Sequence, residues 1–414
     1  MNRVLKIVTF CIIFLLLVGG CFVVLKNNNF FKSKIDDQND TKEPEVVLEK
    51  SVISTEDIIL YTKSDEEFVE SGTVAKNVNL TLDEKNDKYY KVIGLDKDYY
   101  VVGTGLKNAD PITYDTRYKN YIVFNANIVI NDTLDLYDEN NNLIFSLNGD
   151  FSLPIYIKDN ERYGVEFAGR ILYVKADSGN IIENHNTDAV NTKGIGALNY
   201  HFFYDDSIAE ERSDCNQEIC ASKTQFKEHL DYIKNNNFFT PTMKELEMYI
   251  DGKIQLPKSV VITIDDGWRV DLGIKMLEEY ELNATLFVVT SWYDPQAFKS
   301  PYVEIHSHSD NMHNQGVCPT GQGGGIQCLP KETILNDLKT SSDKIGGSTV
   351  FCYPFYEYND YSISVLQEAG FTLAFAGESS HSDNLIKVGS NKYKLPRFVV
   401  VDYTTMTDFA NYLG

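Results

Sequence analysis

One run of residues constrains this chain more than any other. Ser259-Val260-Val261-Ile262-Thr263-Ile264 is β-branched and apolar almost throughout, and it ends directly on Asp265-Asp266-Gly267-Trp268. A strand with no polar alternation is covered on both faces, as in a parallel sheet wrapped by helices. Its neighbours agree. Ala197–Tyr200 and Ala284–Thr290 read as further strands, and Val270–Tyr280 has a helical period. Thr224 is placed to cap a helix over Gln225–Lys234, and Thr242-Met243-Lys244-Glu245 fits a capping box before Leu246–Ile250. Strands alternating with helices predict an α/β domain over residues 190–414.

The end of that strand is where α/β folds place their chemistry. Two adjacent carboxylates beside an apolar strand repel unless a cation or proton is shared. Asp-Asp-Gly alone also makes a good turn. A second cluster changes the balance. His306, His308 and His313 are three of the seven histidines and follow another strand-like end, Tyr302-Val303-Glu304-Ile305. A histidine-rich surface loop is the plain alternative. Imidazoles joined to a carboxylate instead make a divalent-metal site with positions open to water and substrate.

The residues resemble a known family at this point. "VVITIDDGW", "NATLFVVTSW", "VEIHSHSDNMH" and "FCYPFYEYND" look like the successive motifs of the polysaccharide deacetylases of carbohydrate esterase family 4, and "ALNYHFF" resembles their opening strand. The likeness runs from about residue 195 to 412. It implies a distorted, incomplete β/α barrel. It makes Asp265 the catalytic base, and Asp266, His308 and His313 the ligands of a divalent metal. Zinc is the first choice, with cobalt, manganese or nickel as alternatives. His306 falls outside that set. The two ligand histidines are five residues apart, as in a subgroup that includes poly-N-acetylglucosamine deacetylases. Pro354-Phe355 match the third motif, so the Phe355 N–H would help hold the oxyanion.

Two departures stand out. The third motif normally begins with Arg, and this chain has Cys352 there; Arg397, in "KLPRF", is the candidate to hold Asp265 instead. The family's late Leu-x-His, which supplies a general acid, is absent. His381, in "GESSHSDN", is the only histidine downstream of the metal pair and hence the candidate acid. The expected function is removal of N-acetyl groups from a cell-surface glycan, either peptidoglycan or poly-N-acetylglucosamine. A catalytically impaired glycan-binding wall protein and an O-acetyl esterase of xylan type are the competing readings.

The N-terminal half has a different texture. Residues 53–112 and 113–180 are β-rich, with strands expected at Ile58–Tyr61, Tyr89–Ile93, Tyr99–Val102, Ile122–Phe124, Leu134–Tyr137, Leu143–Phe145 and Ile171–Val174. Their rhythm resembles a tandem of bacterial SH3-like modules, read either as glycan binders or as a stalk. Before them, residues 27–52 read as a polar spacer. Ile7–Leu25 carries no charge and follows Arg3 and Lys6, which predicts a transmembrane helix within a 1–26 anchor and an extracellular remainder. Lipidation at Cys21 and a cleaved secretory signal are the alternatives, and each also exports the chain. Cys215/Cys220 and Cys318/Cys328 then read as disulfides, with Cys352 a buried thiol. The formal net charge of −22 excludes nucleic acid as a partner and suits a neutral or cationic sugar polymer.

Overall fold

The continuous apolar run becomes the centre of a parallel sheet. In the computed structural model, which describes residues 47–65, 67–183, 193–215, 218–377 and 384–413, seven strands pair in parallel throughout. Their order is Leu373–Phe375, Val350–Cys352, Val303–Ser307, Ala284–Val288, Val260–Asp266, Gly196–Tyr200 and Phe398–Val399. The sheet curls into part of a barrel. Both faces of the central strand are filled. Val260, Ile262 and Ile264 pack against the outer helices with Phe226, Leu230, Ile274 and Leu277. Val261 faces an inner core with Ala197, Phe287, Cys352 and Phe375.

The helix signals hold with one shift. Thr242 and Glu245 form the expected capping box at the start of Met243–Ile250. The preceding helix is Lys223–Asn235, and its cap is Ser222 rather than Thr224. Thr224 is occupied elsewhere: its N–H and hydroxyl both donate to Asp206, at 3.2 and 2.7 Å. Both short cysteine pairs are bonded, Cys215 to Cys220 and Cys318 to Cys328, and Cys352 is a buried free thiol.

The N-terminal half is built of strands, as its texture predicts. The "DLYDENNNLIFSL" stretch is a hairpin of Thr133–Tyr137 and Leu143–Asn148. The expected strand at Ile122–Phe124 does not form within this half. Ile122 instead bridges Gln255 of the α/β half, so its backbone partner lies across the domain boundary. The proposed division near residue 112 is crossed by pairing between Glu67–Val74 and Leu143–Asn148. One core runs through both parts, with Leu60, Val74 and Val101 from the first and Leu136, Phe145 and Val174 from the second. This core takes in Val52 and the edge of Leu48, inside the stretch expected to be spacer. The anchor segment Ile7–Leu25 lies outside the described residues. Among the described residues no helix is long and apolar enough to cross a membrane.

The β-rich half docks against the α/β half at one particular end. Ile157, Tyr121, Tyr156, Ile171 and Tyr173 join the inner core beside Met243, Leu246, Ile250 and Leu256. The Lys158 N–H donates to Lys253 O at 2.7 Å. Arg117 forks onto Glu245, through Nε at 3.0 Å and Nη2 at 2.5 Å, while Tyr121 Oη donates to the same carboxylate at 3.0 Å. All these contacts lie before Val260, at the N-terminal ends of the parallel strands. A seven-residue strand spans about 20 Å, so the opposite ends are well clear of the dock.

Glu245 therefore serves both its own helix cap and the dock. Glu245→Ala should cost about 3 kcal/mol, because it removes the cap and strands Arg117 and Tyr121. Arg117→Ala should cost less, since the cap survives. Urea midpoints of the two variants compare them directly, and equal losses would mean that the cap contributes nothing.

Candidate metal and catalytic site

The site forms where the central strand ends. Thr263 and Asp265 share the inward face with Val261, two residues apart each time. By the same alternation Asp266 should turn outward. It does not, because its φ is +74°, followed by Gly267 at +109°. A left-handed φ at a non-glycine residue costs on the order of 1 kcal/mol or more and persists only where surroundings enforce it. Here it brings both carboxylates beside His308, close enough for their ligand atoms to lie within 4.8 Å of its imidazole.

Asp265 is almost wholly buried, and so is its partner. Arg397 Nη1 and Nη2 donate to the two Asp265 oxygens at 2.8 and 2.9 Å. Its remaining donors reach Thr263 Oγ1 at 3.1 Å, Ala376 O at 2.9 Å and Cys352 Sγ at 3.0 Å. All five guanidinium N–H groups are thereby engaged. The Cys352 thiol lies 3.5 Å from Asp265 Oδ2 as a donor. Burial pushes that thiol's pKa up, which keeps it neutral in this role. Burial alone would raise the Asp265 pKa too, but Arg397 and the neighbouring imidazoles hold it well below the usual carboxylate range. Asp265 is ionised at any physiological pH.

Asp266, His308 and His313 converge on one point. Asp266 Oδ1 is 3.4 Å from His308 Nε2 and 3.4 Å from His313 Nε2. These separations exceed an ordinary N–H···O bond. Oδ1 is buried and has no hydrogen-bond partner. Ligands about 2.05 Å from a tetrahedral ion stand about 3.3 Å apart, so the spacing suits a shared cation. His308 Nδ1 lies 2.9 Å from the Cys352 carbonyl, which fixes Nδ1 as the donor and turns Nε2 toward Asp266. Burial, reinforced by His308, lowers the His313 pKa to about 4 and leaves that ring neutral. Cys352 and Asp266 instead raise the His308 pKa well above the ordinary imidazole value against burial, so a cation would bind at His308 in place of its Nε2 proton. The three residues fit a divalent ion with an open position. His306 stands apart, with Nδ1 2.9 Å from Ser348 Oγ.

The other sequence candidates divide. Phe355 packs its ring 4.4 Å from that of His313, on a turn where its own φ is +57°. His381 lies outside the described residues. One neighbour was not singled out from sequence: His201, at the end of the Gly196–Tyr200 strand. Its Nε2 is 4.0 Å from Asp265 Oδ2 and 3.3 Å from Tyr356 Oη, and its Nδ1 is buried without a partner. Burial lowers its pKa against the pull of Asp265. The signal in the sequence was a histidine directly after a buried strand, the position that also carries Asp265. A cavity of about 920 Å³ is lined by Tyr137, Arg162 and Tyr173 of the β-rich half, none of them among these groups.

A half-barrel carrying an Asp-His-His cluster beside a second, ionised Asp defines a hydrolase-type site. Residues 252–374 match the family model described as polysaccharide deacetylase. The family acts on acetylated polysaccharides. No curated protein matches the sequence. Among solved structures, a de-N-acetylase from Aggregatibacter actinomycetemcomitans is 21% identical, with a TM-score of 0.45 over 53% of this chain and 99% of that one. The Streptococcus pyogenes deacetylase PplD, in complex with acetate, is 15% identical, with a TM-score of 0.45 over 53% and 98%. A polysaccharide deacetylase from Bacillus cereus is 14% identical, with a TM-score of 0.44 over 86% and 99%.

The ligand geometry has a direct consequence. His308→Ala, His313→Ala and Asp266→Asn should each weaken zinc binding by at least about tenfold, whereas His306→Ala should not. Calorimetric titration with zinc separates the four variants, and loss confined to the His306 variant would reassign the ligands.

Proposed function

We propose that this chain is a metal-dependent N-deacetylase of a cell-surface polysaccharide, either peptidoglycan or poly-N-acetylglucosamine. The observation that carries the reading is a carboxylate held ionised by a buried Arg397, beside an orphaned Asp266 oxygen flanked by two imidazoles.

Bound by Asp266, His308 and His313, a divalent ion, with zinc the natural fit and cobalt, manganese or nickel as alternatives, supplies Lewis acidity to water and to the acetamide carbonyl. Asp265 takes the proton from the attacking water. Arg397 keeps that carboxylate oriented and unprotonated between turnovers. The Phe355 N–H is offered to the developing oxyanion from the turn that follows Pro354. His201, pressed between Asp265 and Tyr356, is the described residue best placed to pass a proton to the leaving nitrogen. The inactive glycan-binder reading arose from the absence of both the third-motif Arg and the late histidine. Arg397 supplies that guanidinium from elsewhere, which favours an active enzyme. The two disulfides favour an oxidising compartment, and with it an extracellular domain carried by the uncharged segment Ile7–Leu25.

Acetate should be released from acetylated glucosamine oligomers, cease on chelation and return with added zinc. Release from peptidoglycan compared with poly-N-acetylglucosamine identifies the polymer. Chelator-resistant release would remove the metal from the reaction.

Asp265→Asn should retain zinc and lose turnover by about 100-fold or more, since it removes the base and keeps the shape. Loss of zinc from Asp265→Asn, with zinc retained and turnover lost in Asp266→Asn, would reverse the assigned roles of the two carboxylates.

A further inference from the structure

The ring closed by Cys318 and Cys328 lies far in sequence from the turn Pro354–Tyr356, yet one carboxylate joins them. Glu357 accepts from the backbone N–H groups of Gln322 and Gly324, the latter at 2.9 Å, and from Gln327 Nε2 at 2.8 Å. The ring's backbone is shaped for this grip. Gly321 and Gly323 have φ of +58° and +90°, and a Cβ at Gly321 would collide with the Glu357 carboxylate. Inside the ring, the N–H groups of Val317 and Cys318 both donate to Gly323 O at 3.0 Å. The disulfide closes that loop across ten residues of sequence.

The turn on the other side is strained and points at the site. Phe355 and Tyr356 are consecutive non-glycine residues with φ of +57° and +62°. Such conformations persist only where neighbours over-determine them. Phe355 packs on His313, and Tyr356 Oη donates to Asn199 Oδ1 at 2.8 Å beside His201. The next residue in the chain is Glu357. Its three bonds into the ring fasten the exit of the turn, while its own N–H donates to Pro354 O at 3.1 Å.

We propose that Glu357 is a positioning residue. It anchors the strained turn to the disulfide-closed ring, so that the Phe355 N–H and the Tyr356 hydroxyl stay directed into the site. Glu357 itself touches no reacting atom, and it carries three of the bonds from the ring to this segment, with Asn359 Nδ2 donating to Gln327 O at 3.0 Å as a further tie. For its kinetic consequence the inference rests on the deacetylase reading above; for its structural consequence it does not.

The test uses the full chain with Glu357→Ala, Glu357→Gln, the pair Cys318→Ser with Cys328→Ser, and the two sets combined. Melting by circular dichroism screens for folding, and should Glu357→Ala fail to fold, Glu357→Gln and the cysteine pair carry the comparison. Glu357→Ala should lower kcat about tenfold or more, because small misplacements of oriented groups are costly. KM should stay within about twofold and zinc affinity should not change, the pattern of an interaction made in the transition state. Glu357→Gln, which keeps an acceptor, should lose less. Adding the cysteine pair to Glu357→Ala should cost little more, since both cut the same link. Hydrogen exchange of the 353–358 peptide should accelerate in every variant. Unchanged exchange there, kcat near that of the parent, or fully multiplicative losses would overturn the proposal. If the parent chain releases no acetate from any acetylated glycan, the deacetylase reading fails, and the exchange result alone decides the anchoring.

Discussion

The buried pair of Arg397 and Asp265 is the interaction on which the rest of the site depends. Taking two charges out of water costs several kcal/mol each unless geometry and hydrogen bonding are nearly complete. Here they are. The guanidinium places its donors on Asp265 and Thr263 of the central strand and on Cys352 and Ala376 at the ends of two strands three and four places away in the sheet. That network ties the loop before Phe398–Val399 to the centre of the sheet. It also keeps Asp265 an anion in a place where burial pushes its pKa up.

The pair also allows a second carboxylate close by. Two ionised Asp side chains cannot share a site without compensation. Arg397 neutralises one, leaving Asp266 to face the imidazoles of His308 and His313. The left-handed backbone at Asp266 permits this division of labour, because it redirects a side chain that strand alternation would send among the helices. The strained turn at Phe355 and Tyr356 is a second instance of conformational cost concentrated around the same chemistry.

The β-rich half bears on the opposite end of the sheet. Its apolar residues complete the floor of the inner core, and Arg117 fastens them through Glu245. Docked there, it supports the half-barrel without contributing to the cluster of Asp266, His308 and His313. This arrangement suits a fixed pedestal, with the reacting groups turned away from it.

Much of the α/β half was legible in the sequence because local rules were sufficient. An unbroken apolar run means a two-sided strand, and a Thr-x-x-Glu before an apolar stretch means a helix start. Cysteines five and ten residues apart have few other partners within reach. Asp265, Asp266 and His308 stand at or just beyond strand ends, so local pattern pointed to them, while the roles expected of them and of His313 came from the family resemblance. Tertiary structure decided what depends on distant partners. That Arg397 forks onto Asp265 across 132 residues needed the curl of the sheet. That His201 faces Asp265 needed two parallel strands in register, Tyr200 beside Ile264. Ile122 finding its partner in Gln255, and Glu357 holding a loop some 35 residues upstream, follow from chain packing that no local pattern encodes. Hydrophobic period and capping are written into neighbouring residues, whereas these contacts arise only once the whole chain has closed upon itself.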